Sequence, residues 1–174
     1  MEFPCIAGAQ VRNVKKKSLT GKEIRQKPVV KLDGVRLKEG EDYTLSYRNN
    51  LLVGKARMII KGKKGRYSGK IQVSFDIVPA RTGIEKLTAG KKKLTVHWEP
   101  QTSQASGYQI QYATNKKFTK NASVLTIRDS ATAGKKIKNL AAGTTYFVRI
   151  RTYYTVGGKN YFSDWSKALY VSTK

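Results

Sequence analysis

Between Lys70 and Ile77 every second residue is apolar: Ile71, Val73, Phe75 and Ile77 alternate with Lys70, Gln72, Ser74 and Asp76. A period of two puts these four apolar side chains on one face of an extended chain, whereas a helix would scatter them around its circumference. The same alternation recurs in Leu94-Thr95-Val96-His97-Trp98, in Tyr108-Gln109-Ile110-Gln111-Tyr112 and in Tyr146-Phe147-Val148-Arg149-Ile150-Arg151. Further strands are expected at 9–14, 28–32, 43–47, 55–61, 124–128, 135–140 and 168–173. Turn chemistry separates them: Asp33-Gly34, Asn49-Asn50, Gly65, Gly69, Gly143 and Val156-Gly157-Gly158. Helical periodicity is nearly absent, so the pattern predicts an all-β chain.

The clearest break is Val78-Pro79-Ala80-Arg81-Thr82-Gly83. A proline directly after a strong strand cannot continue its ladder, and Gly83 precedes a new apolar run. The expectation is two tandem β-sandwich domains, residues 1–79 and 80–174, joined by a very short linker. The start, Met1-Glu2-Phe3, reads as a cloning remnant and the chain as a piece of a longer protein. It has neither the basic region nor the apolar stretch of a signal peptide. No apolar run reaches the roughly 20 residues of a membrane-spanning helix.

Charge is the second strong feature. The 35 Lys and Arg outnumber the 11 Asp and Glu, for a formal net charge of +24. Residues 1–79 hold 18 basic and 7 acidic side chains and residues 80–174 hold 17 and 4, so neither end is a basic arm. With 25 Lys to 10 Arg, diffuse attraction is favoured over bidentate readout. The runs Lys15-Lys16-Lys17, Lys61-Gly62-Lys63-Lys64 and Lys91-Lys92-Lys93 are candidate polyanion-binding groups. They equally serve as solvated guards of strand ends and sheet edges. Sequence-specific nucleic-acid reading is not expected, because no recognition helix or RNA-binding signature is present.

Catalysis lacks parts. The single His97 stands between Val96 and Trp98 on a predicted strand and faces away from both. The single Cys5 has no histidine near it in sequence and excludes an intrachain disulfide. Glu39, Glu41 and Asp42 lack the alternating ligand ladder of a calcium loop. No phosphate-cradling glycine loop opens a helix, so no cofactor is expected. Asn121-Ala122-Ser123 is a lone glycosylation sequon, and no Arg-Gly-Asp triplet is present.

The second half resembles a fibronectin type III domain. The landmarks are Trp98 in Leu94–Pro100, the Tyr-x-Ile-x-Tyr strand at 108–112, the corner Leu140-Ala141-Ala142-Gly143-Thr144-Thr145-Tyr146, and the strand that follows. The resemblance implies that Trp98, Leu140 and Tyr146 are structural, with the Tyr146 hydroxyl bonded to upstream backbone. Phe162-Ser163-Asp164-Trp165-Ser166 resembles half of the Trp-Ser-x-Trp-Ser box of cytokine-receptor fibronectin domains, with Phe162 in place of the first Trp. That implies Trp165 stacked between Arg149 and Arg151, which share one face of their strand.

The first half resembles an immunoglobulin-like repeat of large Gram-positive bacterial surface proteins. The matching residues run from Leu37 to Ala56 through Tyr43-Thr44-Leu45-Ser46-Tyr47 and end on Gly65-Arg66-Tyr67-Ser68-Gly69 and Phe75-Asp76-Ile77. Together the two resemblances imply a secreted or cell-wall-attached bacterial protein. The expected function is non-enzymatic adhesion to a host protein, such as a glycoprotein or immunoglobulin, through sheet edges and loops. Tyr153, Tyr154 and Tyr161, around the hairpin 155–160, are candidate protein contacts. A structural spacer and a binder of cell-wall polymer or glycosaminoglycan are the alternatives. A monomer without membrane insertion is expected.

Overall fold

The computed structural model describes residues 2–174, which divide into two compact units between Ile77 and Val78. The first holds a 3-10 turn at Ile6–Gly8 and the strands β1 (Gln10–Arg12), β2 (Lys17–Ser18), β3 (Val29–Leu32), β4 (Val35–Arg36), β5 (Tyr43–Arg48), β6 (Gly54–Gly62) and β7 (Lys70–Val78). They form a sheet in the order β1-β3-β4 and a second in the order β2-β7-β6-β5. The alternation of β7 has the consequence its period dictates. Ile71, Val73, Phe75 and Ile77 pair with Ile60, Met58, Ala56 and Gly54 and turn into one core with Val30 of the other sheet. Tyr47 spans from β5 to the preceding chain: its hydroxyl accepts from the Gln26 N–H (3.0 Å) and donates to the Gln26 carbonyl (3.1 Å).

The second unit contains β8 (Ile84–Gly90), β9 (Lys93–Trp98), β10 (Gly107–Ala113), β11 (Ser123–Ile127), β12 (Gly134–Ile137), β13 (Thr145–Val156), β14 (Lys159–Phe162) and β15 (Leu169–Ser172). One sheet runs β12-β9-β8; the other runs β11-β10-β13-β14, with β15 also on β13. Leu94, Val96 and Trp98 from the first sheet meet Tyr108, Ile110, Tyr146, Val148 and Ile150 from the second. Burying side chains of this size contributes roughly 1.5–3 kcal/mol each. The chain is therefore all-β, with two β-sandwiches in tandem.

Two differences from the strand expectations have local causes. β8 carries Ile84 and Leu87 three residues apart, because a bulge between Ile84 and Lys86 adds a residue against β9 and breaks the period of two. The strand expected to run to residue 140 ends at Ile137, since Asn139 is left-handed (φ 60°) and turns Leu140 into the core. Gly107, at the start of β10, is a position only glycine fits. Its φ is 152°, and a Cβ there would lie 1.9 Å from the Ile127 carbonyl oxygen.

Candidate functional site

The outward face of the larger sheet in the second unit is the most elaborated surface. Register pairs Arg149 with Gln111 and Arg151 with Gln109 across β13 and β10. Each guanidinium donates two hydrogen bonds to the facing amide oxygen: Arg149 Nε and Nη2 at 2.8 and 2.6 Å, Arg151 at 3.0 and 2.7 Å. That fixes both planes in the geometry that aromatic rings can sandwich. Phe118 lies 4.1 Å from the Arg149 guanidinium carbon and Trp165 4.7 Å from it. Trp165 is 4.3 Å and Phe162 4.0 Å from that of Arg151. The stack therefore has five tiers: Phe118, Arg149, Trp165, Arg151, Phe162. Burial pulls both guanidinium pKa values below the ordinary arginine value, with the Arg149 charge adding to the effect on Arg151. Arginine nonetheless stays charged at neutral pH.

Trp165 reaches this position because the chain leaves β13 between β14 and β15. Two serines replace the missing strand. The Thr152 N–H donates to Ser163 Oγ (3.0 Å) and the Ile150 N–H to Ser166 Oγ (3.0 Å). The Ser163 and Ser166 N–H groups donate back to the Thr152 and Ile150 carbonyls at 3.0 and 2.7 Å. The edge of β13 is thus satisfied without a regular ladder, as a buried backbone edge requires. The sequence brings in the three middle tiers, Arg149, Trp165 and Arg151; the two end tiers, Phe118 and Phe162, come from the structure.

The hairpin tyrosines are corrected by burial. Tyr153 and Tyr161 are 6% and 8% exposed, and Tyr154 is half-buried. Tyr153 packs on Phe162 (ring centres 6.0 Å apart), and Lys159 lies 4.7 Å over the Tyr161 ring. The registry of β13 with β14 presses these rings together, so Tyr153 and Tyr161 do not form an open contact surface. The exposed aromatic is elsewhere. Tyr170 on β15 is 70% exposed and pairs with Phe147 of β13, ring centres 5.6 Å apart. On the same outward face Val124 of β11, 52% exposed, stands opposite Gln111. Alternation about the inward Leu169 and Val171 is the signal that could have found Tyr170.

The remaining candidates are placed as follows. Lys15, Lys16, Lys17, Lys61, Lys63, Lys64, Lys91, Lys92 and Lys93 are all exposed. Lys91 and Lys92 form the turn between β8 and β9, and Lys63 Nζ donates to the Gly40 carbonyl (2.6 Å). Trp98 lies in the core with its ring centre 5.2 Å from that of Tyr108. The Tyr146 hydroxyl accepts from the Ala141 N–H at 3.1 Å, beside the buried Leu140. His97 is exposed on the outer side of β9, and Cys5 is an exposed free thiol. Asp42 turns inward, where it accepts from the Lys38 N–H (2.8 Å) and pairs with Arg66 (3.0 Å). Among the described residues no three His, Cys, Asp or Glu side chains are grouped to hold a metal ion. No helix among them is long and apolar enough to cross a membrane.

Comparison with known proteins gives one family and a set of shared folds. The family model described as "Fibronectin type III domain" matches residues 80–169. A two-domain fibronectin type III segment of chicken tenascin superposes with a TM-score of 0.53 at 16% identity, covering 95% of this chain and 97% of that one. The FN1–FN3 domains of chicken CNTN1 give a TM-score of 0.48 at 12% identity over 99% of this chain and 69% of theirs. The fn3 domain of human contactin 1 gives 0.42 at 22% identity, covering 56% of this chain and 82% of its own. No curated protein sequence matches the chain.

Proposed function

The chain belongs to the fibronectin type III family through residues 80–169, and from that premise we propose that it is a non-enzymatic, extracellular binding pair that contacts a host protein through the outward face of its second unit. Domains of this family are common adhesion or spacer modules, typically non-catalytic and usually found in extracellular proteins. The resemblance of residues 37–77 to Gram-positive immunoglobulin-like repeats supports a bacterial surface origin.

One observation carries the binding reading over the spacer reading. Tyr170 is 70% exposed, rests on Phe147 and shares its face with Val124. Interface anchors are enriched in such aromatics. A face braced by stacked arginines also loses little freedom on binding. A spacer has no need of an exposed ring here.

The test is capture from host serum and mucosal extract at physiological salt, with heparin as competitor, using the parent chain and Tyr170→Ala. A heparin-resistant partner whose affinity falls at least tenfold in the variant supports the reading. Silence supports the spacer, and a partner indifferent to Tyr170→Ala refutes this surface.

A further inference from the structure

The outward face of the first unit's larger sheet holds charge in an arrangement that the fold by itself disfavours. Successive rows across β5, β6 and β7 are Thr44-Lys61-Lys70, Ser46-Ile59-Gln72 and Arg48-Arg57-Ser74. The residues between these rows, such as Leu45, Ile60 and Ile71, turn to the core side. Lys61 thus stands directly opposite Lys70, and Arg48 directly opposite Arg57. Directly opposed residues on neighbouring strands have Cβ atoms about 4.5–5.5 Å apart, and like charges there destabilise a sheet. All four side chains are exposed. Among the described residues none of the four is joined to a carboxylate; ion pairs of this unit include Arg25–Glu23, Lys38–Glu41 and Arg66–Asp42. The face's carboxylate, Asp76, sits at the far end opposite Lys55.

We infer that this face binds a linear anionic polysaccharide, carboxylated or sulfated, lying along the strands across both cationic rows. The two rows are four residues apart, about 13 Å at the strand rise. The neutral row between them supplies the Ser46 hydroxyl and Gln72 amide for sugar hydroxyls. At the Lys61 end the face opens into a groove of about 490 Å³, whose lining includes Thr44, Lys61, Lys63, Lys64 and the Tyr67 ring. There two more lysines meet an aromatic wall suited to the C–H face of a sugar ring. Nucleic acid fits less well: single strands are held on successive stacking platforms, and the three rows carry no aromatic ring. A protein partner would want an apolar anchor, and the rows offer only the half-buried Ile59. An anionic polymer also relieves the repulsion within each like-charged pair and releases its own counterions. This surface is independent of Tyr170, which lies in the other unit.

The experiment measures affinity at 150 mM salt for a heparin oligosaccharide, polygalacturonate, neutral dextran and a twenty-nucleotide thymidine strand. Three proteins are compared: the parent, Arg57→Ser/Lys61→Gln/Lys70→Gln, and the charge-matched control Lys91→Gln/Lys92→Gln/Lys93→Gln. The face variant is expected to lose at least tenfold in affinity for one or both acidic polysaccharides, with a salt slope reduced by about two to three. The control is expected to lose less than threefold, and dextran to stay unbound. Equal losses in the two variants overturn the inference, as do no acidic polysaccharide binding by the parent and thymidine binding as tight as the polysaccharide. Amide shifts of the parent on titration give a readout that needs no variant: they are expected to centre on β5–β7, and shifts centred elsewhere overturn the inference. A salt-tolerant protein partner found without polysaccharide binding would sink this inference alone. Polysaccharide binding without such a partner would sink only the Tyr170 reading.

Discussion

The guanidinium carbon of Arg151 lies 4.3 Å from the centre of the Trp165 ring and 4.0 Å from that of the Phe162 ring. Two arginines on one strand would ordinarily repel. Here the ring between them offers each an electron-rich face, and Gln109 and Gln111 take the donors that the rings cannot satisfy. Arg149 and Arg151 are therefore structural cations, withdrawn from the pool available to an anionic ligand.

Trp165→Ala opens the middle of the stack and leaves two partly desolvated guanidiniums facing one another. The expected loss is about 2–4 kcal/mol, read as a lower urea midpoint. Arg151→Lys is expected to cost about 1–2 kcal/mol despite keeping the charge, because a point cation loses the bidentate bond to Gln109. An unchanged midpoint in Trp165→Ala would show that the stack contributes nothing to stability.

Ser166→Ala takes the acceptor from the Ile150 N–H, on a strand whose neighbouring chain has bulged away. An unsatisfied buried donor costs about 1–3 kcal/mol. Hydrogen exchange at Ile150 is expected to accelerate more than at Val148, which keeps its pairing with Leu169.

Tyr146→Phe removes the bond from the Ala141 N–H and little else, since the ring stays packed. About 1 kcal/mol is expected from one lost hydrogen bond, measured by thermal or urea unfolding. A neutral result would mean that the corner is held by Thr173, which donates to the Ala141 carbonyl at 2.6 Å.

Gly107→Ala puts a methyl group against the Ile127 carbonyl, at a backbone angle that other residues avoid. The strand pair β10–β11 has to part locally, and a loss of about 2–4 kcal/mol is expected. Pairing between Tyr108 and Ile127 is the first to weaken, visible as lost amide protection there.

Asp42 supplies an acid-sensitive element. The bond from the Lys38 N–H, and then Arg66, lower its pKa below the usual aspartate value. A depressed folded-state pKa means that its contribution is complete above the unfolded value, about 3.9, and is lost as pH falls through the folded value. Between pH 5 and 2 the urea midpoint of Asp42→Asn is expected to fall less steeply than that of the parent. Parallel curves would show that Asp42 is not the group responsible.

The strands with clean alternation were legible in sequence because burial on one face dictates their period: β7, β9, β10 and β13 all read directly. β8 was not, because a bulge erases the period without changing composition. Of the ladder, Arg149, Arg151 and Trp165 were legible from the resemblance of residues 162–166 to the cytokine-receptor box together with a spacing of two; that Phe162 caps Arg151 was not. Phe118 was not, because its approach to Arg149 depends on the loop between β10 and β11. The tyrosines show the opposite failure. Alternation assigns each to a face, but Tyr153 is outward and still buried, since Phe162 covers it.

What the sequence by itself determined is the local alphabet: extended segments, their inward faces, and a strongly cationic exterior. Those follow from side-chain period and from charge count, which need no neighbour to be read. Tertiary pairing decided which cations face each other. Arg48 meets Arg57, and Lys61 meets Lys70, only because β5, β6 and β7 lie in one register. Arg149 and Arg151 carry the same charge, yet rings and amides stack against them. Like charges opposed in the first unit and stacking in the second are properties of registry, and a chain read residue by residue contains no registry.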